Sequence, residues 1–448
     1  MRSPDALAPV ITPRVGRALL AKDWRTLRHS RAWLLVALAI GPFVGLAWRE
    51  AASIYTEMSG TPGDAAAALA GALSPLDGIV APVLGAYAVI ATLLLPFVAI
   101  RTVAAEKASG AHGLLLQTTV PLWRQVLSRF AALLGTWALW LIPGVLLLLV
   151  WRARGGHLDA TETAGVLLGH LLHGAFVAAL GLASAAITES AASAAVVALA
   201  VTLGAWAVDF TASVRGGLAA VLAPYTPDAM LRSFEHGLVV VNEVAVALVL
   251  IGALLALTVI WLESAQRRAR ALQHTGVVLL ASALLLPLAA RLHGGRDLSE
   301  DRRNSFAPAD EQALAAITQP LTITVHLGPS DPRRADLERG VLQKLVRTMP
   351  HVTVQYAAQS STGLFAGNEA HYGEIWYELG GAKEASRSTV PNIVLETIYQ
   401  LAKVAPPTGG APVYPGYPSR ITASLWEMLL CGIGWPAFVA AAWWRRRQ

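Results

Sequence analysis

Eight long apolar runs set the limits on what this chain can become. They fall near 32–48, 78–100, 129–150, 164–187, 191–208, 238–262, 275–291 and 423–444. A bilayer core takes about 20 predominantly apolar residues per helix, and a backbone in lipid must satisfy its own polar groups, which a helix does. The chain therefore reads as a polytopic α-helical membrane protein of about eight spans. The first run, interrupted by Gly41 and Pro42, and the seventh, short and carrying Pro287, are the weakest. Composition agrees: 55% of the 448 residues are hydrophobic and 14% charged, against roughly one quarter charged in soluble domains.

Asp, Lys or Arg at the membrane centre costs about 2.5–3.5 kcal/mol, so charges belong at the ends of spans. Four basic clusters obey this: Arg14, Arg17, Lys22, Arg25, Arg28 and Arg31 before the first span; Arg101, Lys107, Arg124 and Arg129 after the second; Arg267, Arg268 and Arg270 after the sixth; Arg445, Arg446 and Arg447 at the end. Alternating spans put all four on one side. The positive-inside rule makes that side the cytoplasm of a bacterial inner membrane, with both termini inside and 292–421 outside, in the periplasm. The formal +6 is then a topology signal and implies no nucleic-acid partner. A second reading lays the basic N-terminus on anionic lipid as an interfacial helix. No cleavable signal peptide is expected, since the first apolar run starts late and leads into no small-residue cleavage site. The single cysteine, Cys431, lies in the last run, so the exterior segment must fold without disulfides.

Four blocks follow. Residues 1–262 form a six-span core with short connections apart from exterior loops at 49–77 and 209–237. Residues 263–291 are a basic linker and the seventh span, 292–421 an exterior segment, and 422–448 the last span with a basic cytoplasmic tail. Within the exterior segment the period changes. LTITVHL (321–327), HVTVQYA (351–357) and YGEIWYEL (372–379) read as strands. RRADLERGVLQKLVRTM (333–349) and VPNIVLETIYQLAKV (390–404) read as amphipathic helices, the second with Ile393, Val394, Ile398 and Leu401 on its apolar face. Pro308 suits the first turn of another helix continuing to Ile317. These elements predict a small α/β domain, and APPTGGAPVYPGYPSR (405–420) predicts a tether back to the membrane.

The chemistry of a self-contained enzyme or motor is missing. There is no phosphate-cradling G-x-x-x-x-G-K-[ST], no H-E-x-x-H, no G-x-S-x-G and no Cys/His metal spacing. Any ATP and Mg must be bound by another chain. His170 and His173, three apart in an apolar run, share a helix face; they are either histidines satisfied within the bundle or part of a substrate or proton pathway. The small residues of GLASAAITESAASAA (181–195) read as a packing seam with a tight turn at Thr188–Ser190. Glu369, His371 and Glu374 are close enough in sequence to bind a metal but match no strong metal pattern, and a solvated loop is the preferred reading.

Between the second and third spans lies the polar insert VAAEKASGAHGLLLQTTVPLWRQVL, 103–127. It reads as a short cytoplasmic helix with Leu114, Leu115 and Leu116 partly buried and Glu106, Lys107 and Gln117 facing water. Through Glu106, Lys107, Gly110, Leu114, Leu115, Leu116, Thr118 and Pro121 it resembles the coupling helix of type 2 ABC transporter permeases; Ala111 stands where Thr is usual and Gly113 where an acid is usual. The stretches 180–201 and 222–244, the latter with Pro224, Pro227, Phe234 and Gly237, are similar to that family's fourth-to-fifth span junction and exterior re-entrant segment. Residues 297–328, through Asp297, Ser299, Arg302, Ser305, Pro308 and Pro320, resemble the exterior start of the auxiliary subunit of gliding-motility-type ABC transporters.

The resemblance implies a permease fused to a shortened auxiliary subunit. Its partners would be a cytoplasmic ABC ATPase dimer, a second permease chain, membrane lipid and an envelope partner. Glu106, Lys107, Gly110, Leu114, Leu115 and Arg124 would form the ATPase-coupling surface, and the chain itself would be no enzyme and hold no cofactor. Substrate export is the first reading. ATP-driven movement of the exterior domain, without translocation, is the second.

Overall fold

The computed structural model describes residues 13–60, 73–215, 218–263, 267–292, 294–328, 331–357, 371–407 and 414–445. Among them, eight helices are long and apolar enough to cross a membrane, as the apolar runs require. In chain order, a helix α1 (Pro13–His29) precedes the first span α2 (Arg31–Ser59). The second span, α3 (Leu76–Ala108), leads into the short α4 (Ala111–Leu116), then α5 (Leu122–Ala153), α6 (Ala160–Ile187) and α7 (Ala191–Arg215). A short helix α8 (Pro227–Glu235) and a strand β1 (Leu238–Val240) introduce α9 (Val241–Leu262), followed by α10 (Arg268–Ala290). After the α/β domain, α14 (Leu425–Trp444) closes the set.

Small residues decide how closely these helices approach, as lipid supplies no hydrophobic drive for helix association. Gly174 of α6 lies under the indole of Trp137 on α5, where an added Cβ would sit 2.2 Å from Nε1. Gly169 takes Phe234 of α8 in the same way, at 2.4 Å. Gly41 and Gly45 of α2 admit the backbone and side chain of Cys431 on α14. The last span thus docks on the first, and Trp435 fixes it by donating its indole N–H to the carbonyl of Ala37 at 2.7 Å. Glu427, buried in α14, accepts from Trp48 Nε1 and Arg154 Nη1, both at 2.8 Å.

The α/β domain holds β2 (Gly295–Asp297), α11 (Pro308–Ala315), β3 (Leu321–Val325), α12 (332–348), β4 (Val352–Tyr356), β5 (Ile375–Leu379), β6 (Ala382–Ser386) and α13 (Pro391–Ala402). The sheet order is β4-β3-β5-β6, with β3 and β4 parallel and the other pairs antiparallel. Leu321, Ile323 and Val325, with Ile375, Tyr377 and Leu379, turn one face toward Leu337, Leu345, Val394 and Ile398 of the helices. The three expected strands and the expected helices are all present. β6 was not expected, because AKEAS lacks β-branched residues; it is an edge strand returned by Gly380 and Gly381, both at positive φ.

Three expectations about the connections need correction. The 49–77 loop begins with helix, since α2 continues to Ser59 and Tyr55 and Thr56 on that extension bond the carbonyls of Tyr417 and Ile421; 61–72 lie outside the described residues. The 209–237 loop is mostly helical, with α7 reaching Arg215, helix again at Leu218–Leu222, and α8. The described part of the 405–420 tether is strapped to the bundle: Tyr417 N donates to Leu73 O, and Ser419 N to Ser59 Oγ.

The α/β domain is joined to the bundle by more than chain continuity. β1, which runs straight into α9, pairs antiparallel with β2. Nearby, Arg303 bonds Asp77, His157 Nε2 lies 2.7 Å from Glu300 Oε2, and the Tyr417 hydroxyl donates to Glu300 Oε1 at 2.6 Å.

Candidate functional site

The insert between α3 and α5 lies at the end of the bundle opposite the α/β domain. Gly110, at φ 73°, turns the chain out of α3 in a left-handed conformation that suits glycine. α4 follows for six residues, and Pro121, in extended conformation, opens α5. The element is wired to three spans and to α1. Lys107 donates to the carbonyls of Ala185 and Ala186 at 2.7 Å and of Thr188 at 3.1 Å, satisfying the C-terminal end of α6 with a cation. His112 Nε2 lies 2.7 Å from the carbonyl of Leu262, the last residue of α9. Gln125 of α5 donates to the carbonyls of Leu115 and Val120. Glu106 is held between Arg129 of α5 and Lys22 of α1. Asp23 of α1 accepts from Ser128 of α5 at 2.5 Å, fastening α1 to the same corner.

The expected division between buried and wet residues is corrected on three points. Glu106 does not face water; its side chain is 13% exposed because it balances an almost fully buried Arg129. Lys107 is likewise turned inward, drawn by the unpaired carbonyls ending α6. Leu114 is 68% exposed rather than partly buried, since His112 takes the inward-facing position of the short helix. Leu115 and Leu116 are partly buried and Gln117 is exposed, as the sequence suggested. Arg124 lies 5.0 Å above the ring of Trp123, itself 48% exposed. The exposed surface at this end includes Gly110, Gly113, Leu114, Gln117, Thr118, Thr119 and Trp123, while Glu106 and Lys107 form its mounting.

His170 and His173 are both buried on α6, at 0% and 2% exposure. Trp137 donates its indole N–H to the carbonyl of His170 at 2.8 Å, and the ring of Tyr87 stands edge-on to the imidazole. His170 Nε2 lies 3.5 Å from Glu235 Oε1 on α8. Sequence spacing brought the two histidines onto one face; the approach of Glu235, 65 residues further along, has no local signal. In the α/β domain, His371 pairs with Glu374 at 3.1 Å and Arg387 with the same carboxylate. Glu369 lies outside the described residues, and no group of three potential metal ligands occurs among them.

Comparison with known proteins gives no family model that matches the chain and no match among curated proteins.

Proposed function

We propose that the chain is the membrane-spanning subunit of an ABC transporter, driven by a separate cytoplasmic ATPase dimer that supplies ATP and Mg and working with a second copy of itself. One observation carries this reading. A short helix presents exposed Leu114 at the end of the bundle while its flanks are bonded to α1, α5, α6 and α9. A load applied to Leu114, Gln117 and Trp123 would pass into several spans together, as coupling to an external motor requires. The element therefore acts as a handle, and substrate export is the output.

A second reading keeps the motor and replaces export by movement of the α/β domain against an envelope partner. The β1–β2 ribbon favours it, because β1 is continuous with α9 and displacement of that span moves the domain directly.

The test is co-purification of the full chain with an ATPase from its own cell, followed by measurement of stimulated ATP hydrolysis. Leu114→Glu should abolish stimulation and leave the folded chain intact, since the side chain has few contacts to lose. Unchanged stimulation in both Leu114→Glu and Trp123→Ala would sink the assignment.

A further inference from the structure

Neither ring nitrogen of His170 has a hydrogen-bond partner among the described residues. Leaving such groups buried and unmet costs about 1–3 kcal/mol each, and a packing role alone would be served better by an apolar side chain. The nearest carboxylate, Glu235, is too far from His170 Nε2 for a hydrogen bond and near enough for an ion pair, at 3.5 Å. It sits at the last turn of α8, three residues before β1, which carries the α/β domain through β2. Helix α8 is clamped to α6 elsewhere by Phe234 against Gly169.

We propose that His170 and Glu235 form a proton-binding site whose occupancy seats α8 on the bundle. A proton from solvent adds to Nε2 of His170, and the imidazolium N–H then donates to the Glu235 carboxylate. The product is a net-neutral pair, the form in which a fully buried imidazolium is tolerated in a low-dielectric site. The site is independent of the ATPase reading, because it requires only a proton and α8.

Other charged and titratable groups surround it. α8 carries Asp228 and Arg232, the latter bonded to Asp209 of α7. From α9, Glu243 accepts from Ser233 of α8 at 2.9 Å and keeps its Oε2 buried without a partner. α3 contributes Tyr87, and α12 brings Arg347 within electrostatic reach of Glu243. Of these, Asp228 and Glu243 are the competitors to control: burial, with Asp209 adding to it, pushes the Asp228 carboxyl up to about 6, and Glu243 is bonded directly to α8 through Ser233.

Hydrogen–deuterium exchange of the full chain in lipid nanodiscs, without nucleotide, tests the proposal. The reading is taken on amides 228–240 at pH 5.5 and 8.0 after correction for intrinsic exchange chemistry. Protection should rise about tenfold at pH 5.5, the factor supplied by one pK unit of coupling between proton and helix. Glu235→Gln should remove the pH difference, as should His170→Asn, while Asp228→Asn and Glu243→Gln should each keep it. A merely structural role for these residues would lower protection equally at both pH values. The proposal is overturned by a wild-type chain with no pH difference, by a difference that survives Glu235→Gln, or by one that disappears in Asp228→Asn or Glu243→Gln. Should His170→Asn fail to fold, Glu235→Gln decides alone, its side chain being 24% exposed.

Discussion

Replacing Glu106 by Gln changes a few atoms and removes one charge from the corner where α1, α3 and α5 meet. The consequence follows from what is left behind. Arg129 is 3% exposed and its Nη1 already lacks a hydrogen-bond partner, so Glu106→Gln strands a guanidinium inside the protein. Breaking a buried pair by removing one partner costs about 3–5 kcal/mol. The second arm, to Lys22, adds about 0–1 kcal/mol, because Lys22 is 39% exposed and retains Asp23 at 3.1 Å. We expect a loss of about 3–6 kcal/mol, followed by tryptophan fluorescence during unfolding in mixed micelles. Removing the stranded charge as well, with Glu106→Gln and Arg129→Met together, should recover about half or more of it, since an apolar replacement of a buried pair is often close to neutral. A loss below about 1 kcal/mol for Glu106→Gln, or a double variant less stable than the single one, would refute the reasoning.

Two further changes probe other parts of the bundle. Gly174→Ala should cost about 3 kcal/mol or more, because its Cβ would meet the indole of Trp137 at 2.2 Å and displace the bond from that indole to the His170 carbonyl; Gly204→Ala, with nothing within 4 Å, is the matched control in the same unfolding assay. Asp228 has a folded-state pKa raised by burial from 3.8 to about 6, so its contribution to stability is most favourable below 3.8 and is lost as pH rises through about 6. Asp228→Asn should therefore gain about 1–2 kcal/mol over wild type at pH 8, after discounting for partial exposure, and the gain should fade toward pH 4; a variant less stable than wild type at pH 8 would contradict this.

How much of this was readable beforehand divides along physical lines. Burial in lipid demands long continuous apolarity, so all eight helices were visible as runs, and alternation made β3, β4 and β5 visible too. The strand β6 escaped because its signal lies in the turn: ELGGA places two glycines where a two-residue hairpin needs positive φ, while AKEAS itself looks like loop. The helical continuation of α2 past 48 was hidden by Arg49, Glu50 and Glu57, which end the apolar run without ending the helix. The ribbon of β1 with β2 pairs residues more than 50 apart, and neither three-residue strand has a pattern of its own.

At the insert between α3 and α5, sequence located the helix but reversed several side chains. Hydropathy assigns Glu106 and Lys107 to water and Leu114 to the interior. In the fold the carbonyls ending α6 and the buried Arg129 need counter-groups more than the solvent does, and a six-residue helix cannot bury every leucine it carries. That inversion gives the element its stiffness. Lys107 caps one end of α6, and α6 is the most enclosed of the eight long helices. Toward its other end it carries Gly174, His173, His170 and Gly169, the positions that receive Trp137, Glu235 and Phe234. One rigid, deeply packed helix thus runs from the mounting of Leu114 to the seat of α8, with α8 leading into the ribbon that holds the α/β domain. A push at one end and a proton at the other would act on the same body.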